Sequence, residues 1–252
     1  MLCHMTRDVF LRCLEADFHD LRAAAGDLSA PVPSCPGWTV GDLVGHVAHV
    51  YLHKVETMRL GKLPDPWPPE PTGEQPLALL DRAYAELVAE FAARPDKEPC
   101  PTWYEPDQTV GFWVRRMAQE TVIHRVDAEL AAGFPISPIP AELAGDGIAE
   151  VLEVFLSYAT RQWPEDFGNL LRANGDQAVL VSAAGARWLV RLDHGSVEIA
   201  DATAGQAVAA VSGAPHDVLL WLWRRVGDSA VRVDGDAGAV ARLRAMLEAA
   251  TQ

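Results

Sequence analysis

The sequence predicts a helical bundle over residues 1–163 followed by a smaller α+β domain over residues 164–252. Three observations carry this. Long stretches with apolar residues at helical spacing fill the first 160 residues, and proline-rich segments separate them. That region carries no strand signals. After Trp163-Pro164 the pattern changes to short β-rich runs punctuated by Gly and Asp, followed by helical segments. Long helices joined by loops make a bundle, and strands followed by helices make an α+β layer.

The first helix is expected from about Met5 to Leu28, with Val9, Leu14, Phe18 and Leu21 on one side and Gly26 near its end. The prolines between Pro31 and Pro36 then forbid regular helix. Thr39 with Asp42 three residues on resembles a capping box with Asp in place of Glu, and opens a helix from Val40 to about Leu60. Leu63 to Pro71 is a loop, Pro76 to Ala93 a helix with Leu80, Tyr84, Leu87 and Phe91 along one side. Arg94 to Gln108, with four prolines, is irregular. Helices follow over about Val110–Ala132, closed by Gly133 and Pro135, and over Ala141–Tyr158.

In the second domain, strands are expected at Ala178–Ser182, Trp188–Leu192, Val197–Ile199 and Ala207–Val211. A helix at His216–Val226, a strand at Ala230–Val233 and a helix at Ala237–Ala249 complete it. Trp221 and Trp223 are two apart on the expected helix, so one is read as core and the other as peripheral.

Composition bounds function. The 252 residues are 49% hydrophobic and 22% charged, which suits a globular chain. A formal charge of -14 argues against nucleic acid and against anionic membranes, since both need clustered Lys and Arg. No apolar run nears the roughly 20 residues of a membrane span. The N-terminus lacks the basic and apolar regions of a secretory signal, so a cytoplasmic location is expected. Cys3, Cys13, Cys35 and Cys100 are widely spaced and read as reduced, structural thiols rather than a disulfide framework or zinc knuckle.

The segment Glu120-Thr-Val-Ile-His124-Arg-Val-Asp127 carries the chemistry. Glu120 and His124, four apart, stack on one helix face, and carboxylate and imidazole are normal zinc donors. A third donor must come from another helix. His46, among apolar residues two turns into its own helix, is the candidate. Spacing alone leaves the commoner alternative of a solvated surface pair.

Pro36-Gly37-Trp38-Thr39-Val40 leading to His46, together with Glu120-x-x-x-His124, resembles the mycothiol-dependent maleylpyruvate isomerase family, part of the DinB-like superfamily. Val211 to Trp223 is similar to that family's second domain, which has a sterol-carrier-like fold. The resemblance implies a DinB-like four-helix bundle with a divalent metal, zinc above others, on His46, Glu120 and His124. Nickel or iron would suit the same donors. It further implies mycothiol as a low-molecular-weight thiol that attacks a small electrophile such as maleylpyruvate, giving isomerisation or S-transfer. A metal-containing binding protein without turnover and a metal-dependent hydrolase are the alternatives. The oligomeric state is left open.

Further residues are candidates for catalysis or substrate binding. His49 could shuttle protons, or be an ordinary polar histidine; His53 is expected to face solvent. Asp127 could orient an imidazole, with capping or a surface pair as the alternative. The resemblance implies a substrate-binding arginine in the second domain. No position matches it singly, so Arg224 and Arg232, with Arg225 beside them, are all candidates. Asp42 is read as stabilising its helix N-terminus.

Overall fold

A computed structural model describes residues 5–69, 73–172, 177–192, 195–201 and 207–251. The chain divides into two compact units, Met5–Ser137 and a second beginning at Pro138. Among the described residues, the first unit holds four α-helices: α1 (Arg7–Ala24), α2 (Val40–Leu60), α3 (Pro76–Ala93) and α4 (Val110–Ala131). The helix α1 packs on α4, and α2 on both α3 and α4. Leu14, Leu43, Val47, Tyr51, Leu80, Leu87 and Trp113 are fully buried at this centre. α4 is buried almost all round, which makes it the central rod of the bundle.

Local chemistry sets the ends of α2. Thr39 Oγ1 accepts from the Asp42 amide at 3.2 Å and Asp42 Oδ2 accepts from the Thr39 amide at 2.8 Å, a complete capping box. Gly61 closes the helix in the left-handed conformation, φ 64°. α1 stops at Ala24, short of the expected Leu28. The chain beyond it pairs elsewhere: Gly41 donates to the Leu28 carbonyl and Val40 to that of Ala30. Residues 28–30 thus serve the entry to α2, and Asp27 accepts from the Ser29 amide at 3.0 Å to turn the chain.

The second unit opens with a continuous helical run over residues 141–162. It comprises α5 (Ala141–Glu150), a π-helical stretch (Val151–Tyr158) and α6 (Ala159–Gln162). Two 3-10 turns over Pro164–Arg172, kinked at Gly168, lead to a five-stranded sheet. Its strands are β1 (Gln177–Ala183), β2 (Ala186–Leu192), β3 (Val197–Asp201), β4 (Ala209–Gly213) and β5 (Arg232–Gly235), in the order β3-β2-β1-β4-β5. Among the described residues only the β1–β4 pair is parallel. Ala184 and Gly185, both at positive φ, make the tight β1–β2 turn. Helices α7 (Pro215–Leu222) and α8 (Ala237–Ala250) pack against the sheet.

The units part at Ser137/Pro138 rather than near residue 163. The reason is where the 141–162 helix makes its bonds. Ser157 Oγ donates to the Val197 carbonyl at 2.8 Å, and Thr160 Oγ1 accepts from the Val197 amide at 3.0 Å, so the helix is tied to β3. Trp221 and Trp223 are both buried, which corrects the expectation that one would be peripheral. Trp223 is the C-cap of α7, and its ring is covered by Phe155 of the 151–158 stretch, 5.4 Å away. No helix among the described residues is long and apolar enough to cross a membrane.

Candidate metal centre

α2 supplies His46; α4 supplies Glu120 and, one turn later, His124. Glu120 Oε1 lies 3.3 Å from His46 Nε2 and 3.3 Å from His124 Nε2. One donor atom from each of the three residues falls within 4.8 Å of the others. The two imidazole rings stand 5.1 Å apart at 75°. A cation about 2.0–2.2 Å from each donor would place tetrahedral donors about 3.4 Å from one another. The two spacings from Glu120 Oε1 match that requirement, the third lies within 4.8 Å, and the donor set of two imidazoles and a carboxylate suits zinc and its neighbours. Side-chain exposure falls from 37% at His46 to 16% at Glu120 and 11% at His124, so the centre opens on the His46 side. Among the described residues this is the one such cluster.

Each donor is held from behind. Asp127, fully buried, takes His124 Nδ1 at 2.9 Å, which fixes the imidazole tautomer and turns Nε2 toward Glu120. Asp127 is itself gripped by the proline-rich loop: Ser34 Oγ donates to Oδ1 at 2.5 Å and Cys35 Sγ to Oδ2 at 3.7 Å. In the same loop Trp38 packs 5.0 Å from the His46 ring. Arg116 Nη2 donates to Glu120 Oε2 at 2.7 Å, leaving Oε1 for the histidines.

The electrostatics follow from these contacts. Burial alone would raise the Glu120 pKa, but His124, His46 and Arg116 outweigh it and hold the carboxyl well below its usual range. Burial alone would depress His124; Glu120 and Asp127, through charge and hydrogen bonds, reverse this and raise it to about 9. At neutral pH His124 is therefore protonated whenever no cation replaces that proton.

The remaining candidates are not among the three clustered donors. His49, one turn beyond His46, is partly buried and faces Trp67 at 6.5 Å; it is not one of the three clustered donors. His53 does not face solvent as expected: it is partly buried, edge-on to Trp67 at 5.2 Å, and burial plus Lys54 lowers its pKa to about 4. Arg224 and Arg232 belong to the second unit. Arg224, at φ 61°, donates to Thr251 Oγ1 at 2.9 Å, and Arg232 pairs with Asp234 at 2.6 Å on exposed β5. Asp42 caps α2, as expected. Sequence reasoning missed Arg116, although its place four before Glu120 on α4 is the spacing that pairs side chains. Nothing in the sequence pointed to Ser34.

Comparison with known proteins places the chain in a family. The family model "Mycothiol maleylpyruvate isomerase N-terminal domain" matches residues 11–129, and the "MDMPI C-terminal domain" matches residues 142–242. A crystal structure of the mycothiol-dependent maleylpyruvate isomerase superposes with a TM-score of 0.60 at 17% identity, covering 92% of this chain and 95% of that one. A histidine-to-alanine mutant of the mycothiol-dependent maleylpyruvate isomerase gives 0.61 at 15% identity over the same shares. No curated protein matches the sequence. The fold is shared with the solved isomerase, and with one family domain matched in each unit, the chain belongs to the mycothiol maleylpyruvate isomerase family.

Proposed function

We propose that this protein is a metal-dependent isomerase that uses mycothiol to act on a small acidic electrophile such as maleylpyruvate, with zinc on His46, Glu120 and His124. The observation that carries the reading is the three-donor cluster itself, inside the domain matched by the isomerase family. Three protein donors leave a coordination place free, the arrangement of catalytic rather than structural zinc. A divalent ion there supplies Lewis acidity and favours the thiolate form of a bound thiol. A bound thiol would supply the nucleophile for reversible addition to an activated cis double bond, with rotation about the resulting single bond before the same thiol leaves. The composition of the substrate is unchanged.

The chain's own residues prepare the centre for this. Asp127 fixes the His124 ring and presents Nε2. Arg116 occupies Glu120 Oε2, which biases the carboxylate toward a single donor oxygen. The partial exposure of His46 leaves a way in, and Trp38 packs on its ring. Release of the adduct before elimination would give S-transfer from the same site.

The test is metal content of untagged protein, wild type against His46→Ala and His124→Ala, together with turnover of maleylpyruvate with and without mycothiol. The reading expects metal lost from both variants and turnover only with thiol. Equal metal in all three proteins removes the site. Turnover without thiol assigns hydrolysis, and metal without turnover assigns a binding protein.

A further inference from the structure

Lys54 is a cation that the centre described above does not use. It lies on α2, eight residues beyond His46, and its ammonium stands 4.4 Å from the Trp113 ring, which is seven residues before Glu120 on α4. Both positions are about two turns from the donors, so Lys54 and Trp113 form a level of the bundle roughly 11 Å along from the cluster. The ammonium's hydrogen-bonding partner is a neutral one, His53 Nδ1 at 3.2 Å. No carboxylate among the described residues lies within ion-pair distance of it. Burial dominates its environment and lowers its pKa to about 8; Glu120 opposes that shift and Arg116 adds to it. Part of the residue's surface nevertheless remains exposed.

An ammonium taken largely out of water without a counter-ion is costly, and the cost is offset if a ligand brings the anion. A ring face below, a neutral imidazole beside and the Arg116 guanidinium nearby leave a contacting anion as the missing part, the Glu120 charge acting only from beyond ion-pair distance. Arg116 has its Nη2 committed to Glu120, so Lys54 is the better-placed cation. We infer that Lys54 is a carboxylate-binding residue, holding an acidic group of the electrophile while its reacting carbons lie toward the metal cluster. This rests on the proposed isomerase reading for the identity of the ligand.

The chain has three lysines, Lys54, Lys62 and Lys97, so side-chain lysine resonances can be resolved in isotopically labelled, zinc-loaded protein. The probe is maleate, without thiol, with its dimethyl ester as the uncharged control. The expected result is a saturable shift of the Lys54 resonance with maleate and none with the ester. Lys54→Met should weaken maleate binding at least about tenfold while keeping the bound metal, and Lys54→Arg should restore part of it. In turnover, Lys54→Met should raise KM and leave kcat close to wild type. A Lys54 resonance that maleate does not move, or one that mycothiol alone moves, overturns the inference. Unchanged KM in an active Lys54→Met enzyme overturns it and leaves the isomerase reading intact. Maleate that shifts Lys54 in a protein without turnover does the reverse.

Discussion

Asp127 Oδ2 lies 2.9 Å from His124 Nδ1, and the same carboxylate accepts from Ser34 Oγ, 93 residues away in sequence. The imidazole of a candidate metal ligand is thereby anchored to the proline-rich loop that leads into α2, the helix of His46. Such hydrogen bonds set ring orientation and ligand basicity, and removing them typically costs about 10–100-fold in metal affinity. Asp127→Asn is expected to fall in that range and Ser34→Ala near its lower end. Competition with a chromophoric chelator measures both. Wild-type affinity in Asp127→Asn would show that the contact does not support the ligand.

The entry to α2 and the pairing of Glu120 with His124 were legible because each depends on residues close in sequence, whereas His46, 74 residues from Glu120, was joined to them by the family resemblance. Thr39 and Asp42 are three apart, and Glu120 and His124 four apart, so local geometry announces them. The cradle around the donors was not. Ser34 meets Asp127 only because the loop folds back on α4, and no spacing rule reaches across 93 residues. The unit boundary was misplaced for a related reason. The helical pattern of residues 141–162 is plain, but its allegiance to β3 rests on Ser157 and Thr160 bonding to Val197. Trp223 became core because Phe155 covers it from the 151–158 stretch, a contact that spacing within α7 does not announce.

Gly235 closes β5 at φ 89°, and a methyl group there would come 2.4 Å from the Val208 carbonyl oxygen. Both the backbone conformation and the contact exclude a side chain, so Gly235→Ala should destabilise the sheet unit by about 1–3 kcal/mol. Denaturant unfolding followed through the tryptophans of this unit would show the loss. Metal affinity should be unchanged, because the donors belong to the other unit. An unaltered midpoint would mean that the β4–β5 edge yields without cost.

Asp17 illustrates a buried acid whose pairing does not compensate its burial. Arg125 Nε donates to Asp17 Oδ1 at 3.0 Å, yet burial outweighs this and raises the Asp17 pKa to about 6. The folded chain therefore holds this proton more tightly than the unfolded chain, whose Asp17 titrates near 3.8. The associated stability is full below about pH 3.8 and is lost as pH rises through about 6. Asp17→Asn should flatten stability over that window and gain about 1–2 kcal/mol at pH 7. Arg125 keeps Glu129 at 2.8 Å in the variant, so no charge is stranded. Urea unfolding at pH 4, 5, 6 and 7 checks this, and parallel curves for the two proteins would refute it.

Metal uptake should be coupled to proton release with a sign set by His124. Its pKa of about 9 in the absence of a cation means that the imidazole carries a proton at pH 7, and a metal ligand must give that proton up. Binding at pH 7 should release about one proton, and apparent affinity should rise about tenfold per pH unit until it levels near pH 9. Asp127→Asn removes one of the charges that hold the proton, so it should release less than wild type at the same pH while still binding more weakly. Titration calorimetry in buffers of different ionisation enthalpy reads the proton count directly. Binding at pH 7 without proton release would place His124 neutral before the metal arrives, and the balance of charges between Glu120 and Asp127 would have to be drawn differently.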